Sequence, residues 1–208
     1  MIFITYKTHS GGGLFLGMLL ILPLFKHYIL NLNLTDFMIS FIMLIMTLYI
    51  GSLLPDIDHP NSHIGKFFPG ISSFFRHNNI IHRELTHSLY ATLLILLFFL
   101  CINLLLKVFF LSLYNSMYIY IFAGQFGILI GYLSHILLDM INPSGVCLLY
   151  PLKKRYRLCI SNMITLNSSE ESNLKSFFDF FTVLLTLLYL AIYFYLNVDF
   201  AHILRPFY

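Results

Sequence analysis

Five apolar runs, at about residues 11–30, 36–54, 88–113, 117–140 and 177–198, take up more than half of this 208-residue chain. A hydrocarbon layer about 30 Å thick needs roughly 20 apolar residues in a helix, and each run is close to that length. The expected fold is therefore all-α: a polytopic membrane helical bundle with about five transmembrane helices, forming one integral membrane domain over residues 1–208. Only 10% of the residues are charged, against about a quarter in soluble domains. That is too little polar surface for a water-soluble fold.

Lys7 followed by the run Leu14 to Phe25 resembles a signal peptide, but Lys26, His27 and Tyr28 come next and no small-x-small cleavage site does. The run is expected to persist as a first membrane segment, with Lys26 and His27 snorkelling to its far interface. In the fourth run, Gly127 and Gly131 have the small-xxx-small spacing that allows close helix packing. Cys101, Cys147 and Cys159 form no CxxC pair, so neither a disulfide framework nor a thiolate zinc site is indicated.

Charge placement orients the bundle. With five spans, the N-terminus and the loops 55–87 and 141–176 share one side and carry Lys7, Lys66, Arg76, Arg83, Lys153, Lys154, Arg155, Arg157 and Lys175. The other side holds Lys26, Lys107 and Arg205. The positive-inside rule puts the basic side, and the N-terminus, in the cytoplasm and the C-terminus outside.

The candidate metal ligands gather on that same face. His9 precedes the first run, Asp56 and Asp58 follow the second in "LLPDIDHP", and His82 and His87 lie in "HRELTHS" before the third. His135 and Asp139 close the fourth in "GYLSHILLD", four apart and so on one helix face. Ionisable groups within a membrane segment are costly and face a cavity or a partner. The plain alternatives are a His–Asp bond that ties helices together, a solvated acidic turn, and a basic juxtamembrane loop. Oxygen and imidazole ligands suit Zn²⁺, with Mn²⁺ or Mg²⁺ as alternatives, and the set is large enough for one ion or two. Thr86 is expected to cap the third helix. His59, His63 and His77 read as loop surface, and His27 and His202 fall on the other side.

Two further residues in "HRELTHS" suit catalysis. Arg83 can pair with a phosphate, and Glu84 suits a general base or a partner that orients a ligand. The basic run Lys153, Lys154, Arg155, Arg157 attracts anionic lipid. "INPSG" is a turn signal closing the fourth helix.

In the strings "THSGGG", "GSLLPDIDHPNS", "HRELTHS" and "GYLSHILLDMINPSGVCLLYPLKKR", spanning residues 8 to about 155, the chain resembles the YdjM-like family. Its members are described as membrane-bound metal-dependent hydrolases, or LexA-binding inner-membrane-associated hydrolases. The resemblance implies an inner-membrane protein with His9, Asp56, Asp58, His82, His87, His135 and Asp139 as metal ligands. LexA there refers to control of expression, so no nucleic-acid partner is implied. Segment 177–208 matches no motif.

The expected function is a metal-dependent hydrolase at the cytoplasmic face, acting on a phosphate ester or lipid-linked substrate. The metal would supply a nucleophile by lowering the pKa of water to near 7, and Arg83 would neutralise charge developing on the substrate. The expected partners are membrane lipids and an anionic lipid or phosphorylated substrate. Two other classes compete: a metal transporter or sensor, which wants polar groups through the membrane depth, and a scaffold whose His–Asp pairs only lock helices. Asn103 and Gln125 are the chief polar residues in the helix midsections.

Overall fold

Small residues decide which helices touch. The computed structural model describes residues 5–24, 32–78, 80–142, 144–158 and 168–197. Lys26, His27, Tyr28, Pro143, Cys159, His202 and Arg205, on which some expectations rest, lie outside the described residues. Among the described residues are the helices α1 (Tyr6–Leu24), α2 (Leu34–Gly51), α3 (His63–Phe67), α4 (Pro69–His77), α5 (Leu89–Phe109), α6 (Leu111–Asp139) and α7 (Ser168–Asn197). A 3-10 turn, Leu54–Asp58, follows α2, and an isolated antiparallel bridge joins Val146 to Tyr156.

The chain is an all-helical polytopic bundle. Among the described residues four helices, α2, α5, α6 and α7, are long and apolar enough to cross a membrane, against about five expected. The fifth candidate, α1, opens with the polar residues Tyr6 to Ser10 and carries the described part of the first apolar run only to Leu24. It packs against α2, α6 and α7.

The closest approach is between α2 and α6. A Cβ on Gly131 would lie 2.4 Å from the Leu48 carbonyl oxygen, and one on Gly51 would lie 2.4 Å from that of Ile128. Glycine on both sides lets the two backbones meet, as the spacing of Gly127 and Gly131 leads one to expect. Contacts run in register from Gly124 against Met43 to Gly131 against Leu48, so α2 and α6 are parallel and end together.

Beside this pair, Met18 and Ile21 of α1, Phe37, Phe41, Leu44 and Leu48 of α2, and Tyr189 and Tyr193 of α7 make the main apolar core. The ring of Tyr193 stacks on Phe37 at 3.8 Å. The start of α7 is tied to the start of α1, since Glu171 accepts from the Thr5 N–H at 2.6 Å and the Thr8 hydroxyl at 2.9 Å. By contrast α5 buries none of its residues, and among the described long helices its main contact is with α6. Its Leu and Phe side chains are the lipid-facing surface.

The result is that the first turns of α1, α5 and α7 and the last turns of α2 and α6 lie at one end of the bundle. The loop 55–87 is mostly helical there. Pro55 and Pro69 start the 3-10 turn and α4, where a missing N–H costs nothing, and the Ser62 hydroxyl caps α3.

Candidate metal centre

Four segments that meet at this end bring the ligand atoms together. The α2–α6 contact sets His135 and Asp139 beside Ser52 and the 3-10 turn that carries Asp56. The loop before α5 adds His82 and His87, and α1 adds His9. His9, His87, His135 and Asp139 are almost fully buried. His82 and Asp56 keep 34% and 20% of their side-chain surface, so the centre is open along their edge.

Three histidines are held by the ring nitrogen that faces outward. His135 Nδ1 is 2.6 Å from the Ser52 carbonyl oxygen, which can only accept, so Nδ1 carries the proton and Nε2 faces the centre with a lone pair. His82 Nδ1 donates in the same way to Asp58 Oδ1 at 2.9 Å. The Thr86 hydroxyl donates to Asp58 Oδ2 at 2.5 Å and so accepts from His87 Nδ1 at 3.0 Å. A ligand histidine whose other nitrogen donates to a carboxylate, hydroxyl or carbonyl is the usual arrangement around a metal. Asp139 follows the same logic. Its Oδ1 accepts from Arg83 at 2.9 Å and from Asn142 at 2.8 Å, while Oδ2 turns inward, 3.2 Å from His87 Nε2.

The inward atoms form a cage of acceptors. His87 Nε2 lies 3.2 Å from His135 Nε2 and 3.2 Å from Asp139 Oδ2. His135 Nε2 lies 3.7 Å from that same oxygen. Asp56 Oδ1 is 3.5 Å from His87 Nε2 and 3.4 Å from His135 Nε2. Tetrahedral ligands at about 2.0–2.1 Å from a zinc ion are about 3.3 Å apart, which is the scale of these five separations. Lone pairs at such distances repel unless a proton or a cation lies among them, and the donor types fit a divalent metal. The flanking histidines extend the cage on either side. His9 Nε2 is 3.6 Å from Asp139 Oδ1, and His82 Nε2 is 3.9 Å from Asp56 Oδ1. The ligand atoms accordingly fall into two groups, His9–His135–Asp139 and Asp56–His82–His87.

Charge supports the same picture at the loop residues. Burial disfavours the charged Asp56 carboxylate, yet His135 and His87 outweigh it and hold its carboxyl well below the usual range. Burial also opposes a charged His87, but its contacts with Asp139 and Asp56 push its pKa up to about 9. A proton on His87 and a bound metal are thus alternative ways to neutralise the cage.

Other expected residues take different places. Asp58 is buried behind His82 and Thr86, with both oxygens engaged, and joins neither group. Arg83 is buried against Asp139 and Ser144, with a positive φ of 67° held by Cys147 N–H donating to its carbonyl. It acts on the centre through Asp139. The Glu84 carboxylate is half-buried and makes no hydrogen bond or ion pair with the seven candidate ligands among the described residues. Thr86 does not cap α5; the Ser88 hydroxyl does, accepting from Ala91 N–H. His59 and His63 pack on His82 and Tyr6, outside both ligand groups.

Fold and site together define a multi-spanning membrane protein with a His/Asp ligand cage at one end of its helices. The chain belongs to the YdjM inner membrane protein family, whose model matches residues 4–200. It is similar to Inner membrane protein YdjM of Escherichia coli (strain K12) and to that of Shigella flexneri, each 43% identical over 108 residues, covering 52% of this chain and 49% of the relative. It is also similar to Uncharacterized protein YvsG of Bacillus subtilis (strain 168), 34% identical over 109 residues, covering 52% of this chain and 58% of the relative. The matched stretch spans about half the length of these curated relatives. No solved structure matches the chain.

Proposed function

We propose that this protein is a metal-dependent hydrolase of the inner membrane, acting at the cytoplasmic face on a phosphate ester or lipid-linked substrate. The observation that carries the reading is the pair His87 and His135. Their Nε2 atoms face each other at 3.2 Å while each Nδ1 is committed elsewhere. Such a pair wants a cation, and Asp56 and Asp139 supply the balancing charge.

Asp56, His87, His135 and Asp139 would hold a divalent metal, with His9 and His82 beside it, and such an ion would supply a Lewis acid and lower the pKa of water. The chain's own residues do the rest. Asp58, Thr86 and the Ser52 carbonyl fix the ring orientations. Arg83 and Asn142 hold Asp139 so that one oxygen points inward. The exposed edge at Asp56 and His82 admits substrate, whereas the His9 side is closed.

The test is hydrolysis by full-length protein in nanodiscs, loaded with Zn²⁺ or Mn²⁺ and offered long-chain alkyl phosphates and soluble phosphate esters. Turnover that disappears on chelation and in Asp56→Ala supports the reading. Protein that holds stoichiometric metal yet cleaves none of these esters overturns it.

A further inference from the structure

Against the outside of the metal centre lies a cavity of about 340 Å³, walled by the 3-10 turn, α4, α5 and α6. Its inner wall is the reverse side of the ligand-bearing turn. In a 3-10 helix residues i and i+3 eclipse, so Leu54 and Ile57 share a face, and both line the cavity. Asp56 and Asp58 of the same five residues serve the centre.

The cavity's polar groups are already committed. Thr86 and Tyr132 line it, but the Thr86 hydroxyl belongs to Asp58 and His87, and the Tyr132 hydroxyl donates to the Thr86 carbonyl. Phe75, Leu94 and Ile95 complete an apolar lining. A polar occupant would find no partner there, whereas a hydrocarbon would.

The surroundings point to lipid as its source. Leu94 belongs to α5, the helix with no buried residue, so the cavity borders the acyl region of the membrane. Its other rim is α4. Phe75 of that helix faces the cavity, while Phe67 and Phe68 just before it and Ile71 and Phe74 within it are exposed, with Arg76 and His77 in its last turn. Exposed aromatic residues beside cationic ones are the pattern of a helix lying at the headgroup boundary. The cavity mouth therefore sits where an amphiphile changes from chain to head.

Resting on the hydrolase reading above, we propose that this cavity binds the hydrocarbon chain of an amphiphilic substrate, which enters sideways from the leaflet between α4 and α5 and presents a phosphate-bearing head to the Asp56–His82 edge. The metal centre and the chain site would then share the Leu54–Asp58 turn as a common wall. This narrows the substrate to a membrane-resident phosphate ester and explains why the ligand set sits at the end of the helices.

The experiment uses full-length protein in nanodiscs and a hexadecyl phosphate bearing a mid-chain diazirine, with labelled residues located by peptide mass spectrometry. Labelling should map to Ile57, Phe75, Leu94 or Ile95. It should fall about tenfold in Ala91→Trp, which fills the cavity, and in Leu94→Trp, which sits at its exposed edge. Helical circular dichroism of both variants confirms that they are folded. A headless hexadecane probe of the same design should label the cavity several-fold less. Labelling confined to the outer faces of α5 and α6, equal in variants and wild type, or equal for the headless probe, overturns the proposal. Metal content of the same preparations separates the two readings. Cavity labelling without metal removes the hydrolase and keeps the chain site, while full metal without cavity labelling removes the chain site alone.

Discussion

His135 on α6 donates its Nδ1 proton to the carbonyl of Ser52, the residue that caps the end of α2, at 2.6 Å. One hydrogen bond thereby converts the contact between two membrane helices into the aim of a ligand atom. Had the ring donated through Nε2 instead, the lone pair would sit on Nδ1, close to the α6 backbone, and the cage would lose a wall.

Packing and metal binding are therefore expected to fail together at the α2–α6 seam. Gly131→Leu would drive a side chain into the Leu48 carbonyl, 2.4 Å from where the Cβ falls, and the Ser52 N–H, 2.7 Å away. Overpacking of this kind costs about 1–3 kcal/mol. Thermal unfolding in detergent should show that loss, and metal content should drop although no ligand has changed. A Gly131→Leu protein with wild-type stability and metal would show that the seam does not set the site.

Asp58 and Asp56 separate orientation from ligation. Asp58→Ala removes the acceptor behind His82 and Thr86 but no inward atom. Changes of this type lower metal affinity by about 10–100-fold. Asp56→Ala should instead lower the stoichiometry. Competition against a chromophoric chelator distinguishes the two, and identical behaviour would remove the distinction.

Glu171 should act at a distance. It is the acceptor for the Thr5 N–H and the Thr8 hydroxyl, one residue before His9. Hydrogen bonds to a charged group contribute about 1.5–3 kcal/mol, so Glu171→Ala should loosen the first turn of α1. The expected result is weaker metal binding in the group containing His9, with the group of Asp56, His82 and His87 retained. Unchanged binding in both groups would mean that α7 does not support the centre.

The transporter reading makes a different demand. Asn103 and Gln125, in α5 and α6, satisfy each other through two hydrogen bonds of 2.9 and 3.0 Å. Replacing both with Leu should leave metal content unchanged and cost about 0.6 kcal/mol, the average for such bonds between membrane helices. Loss of metal uptake into proteoliposomes in the double variant would favour a permeation path.

Much of the bundle is legible in the apolar runs, because lipid fixes both helix length and composition. The boundaries are less so. The helices α5 and α6 part at Phe110, inside the run read as 88–113 and ahead of the expected break at 114–116, and α7 begins at Ser168 in a polar stretch that hydropathy passes over. There Glu170 and Glu171 sit in the first turn, where acidic residues suit the helix dipole. The candidate ligands could be named from charge scarcity and one-sided placement. Their roles could not, because Ser52, Thr86 and Asn142 support the cage across elements distant in sequence, and such contacts leave no local pattern. The distinction between Asp56 and Asp58 is of this kind: the spacing D-x-D is symmetric, and only the approach of His82 and Thr86 turns one carboxylate outward. The cavity under the 3-10 turn and the amphipathic α4 likewise hide in what reads as a loop.

The most direct test is elemental mass spectrometry of the full-length protein, purified in detergent without chelator, beside His135→Ala and Asp139→Ala. The account predicts one or two divalent ions per chain in the wild type and their loss in both variants while helical circular dichroism is unchanged. Wild-type protein that is free of metal and takes up neither Zn²⁺ nor Mn²⁺ would contradict it, leaving the His–Asp contacts as ties between helices.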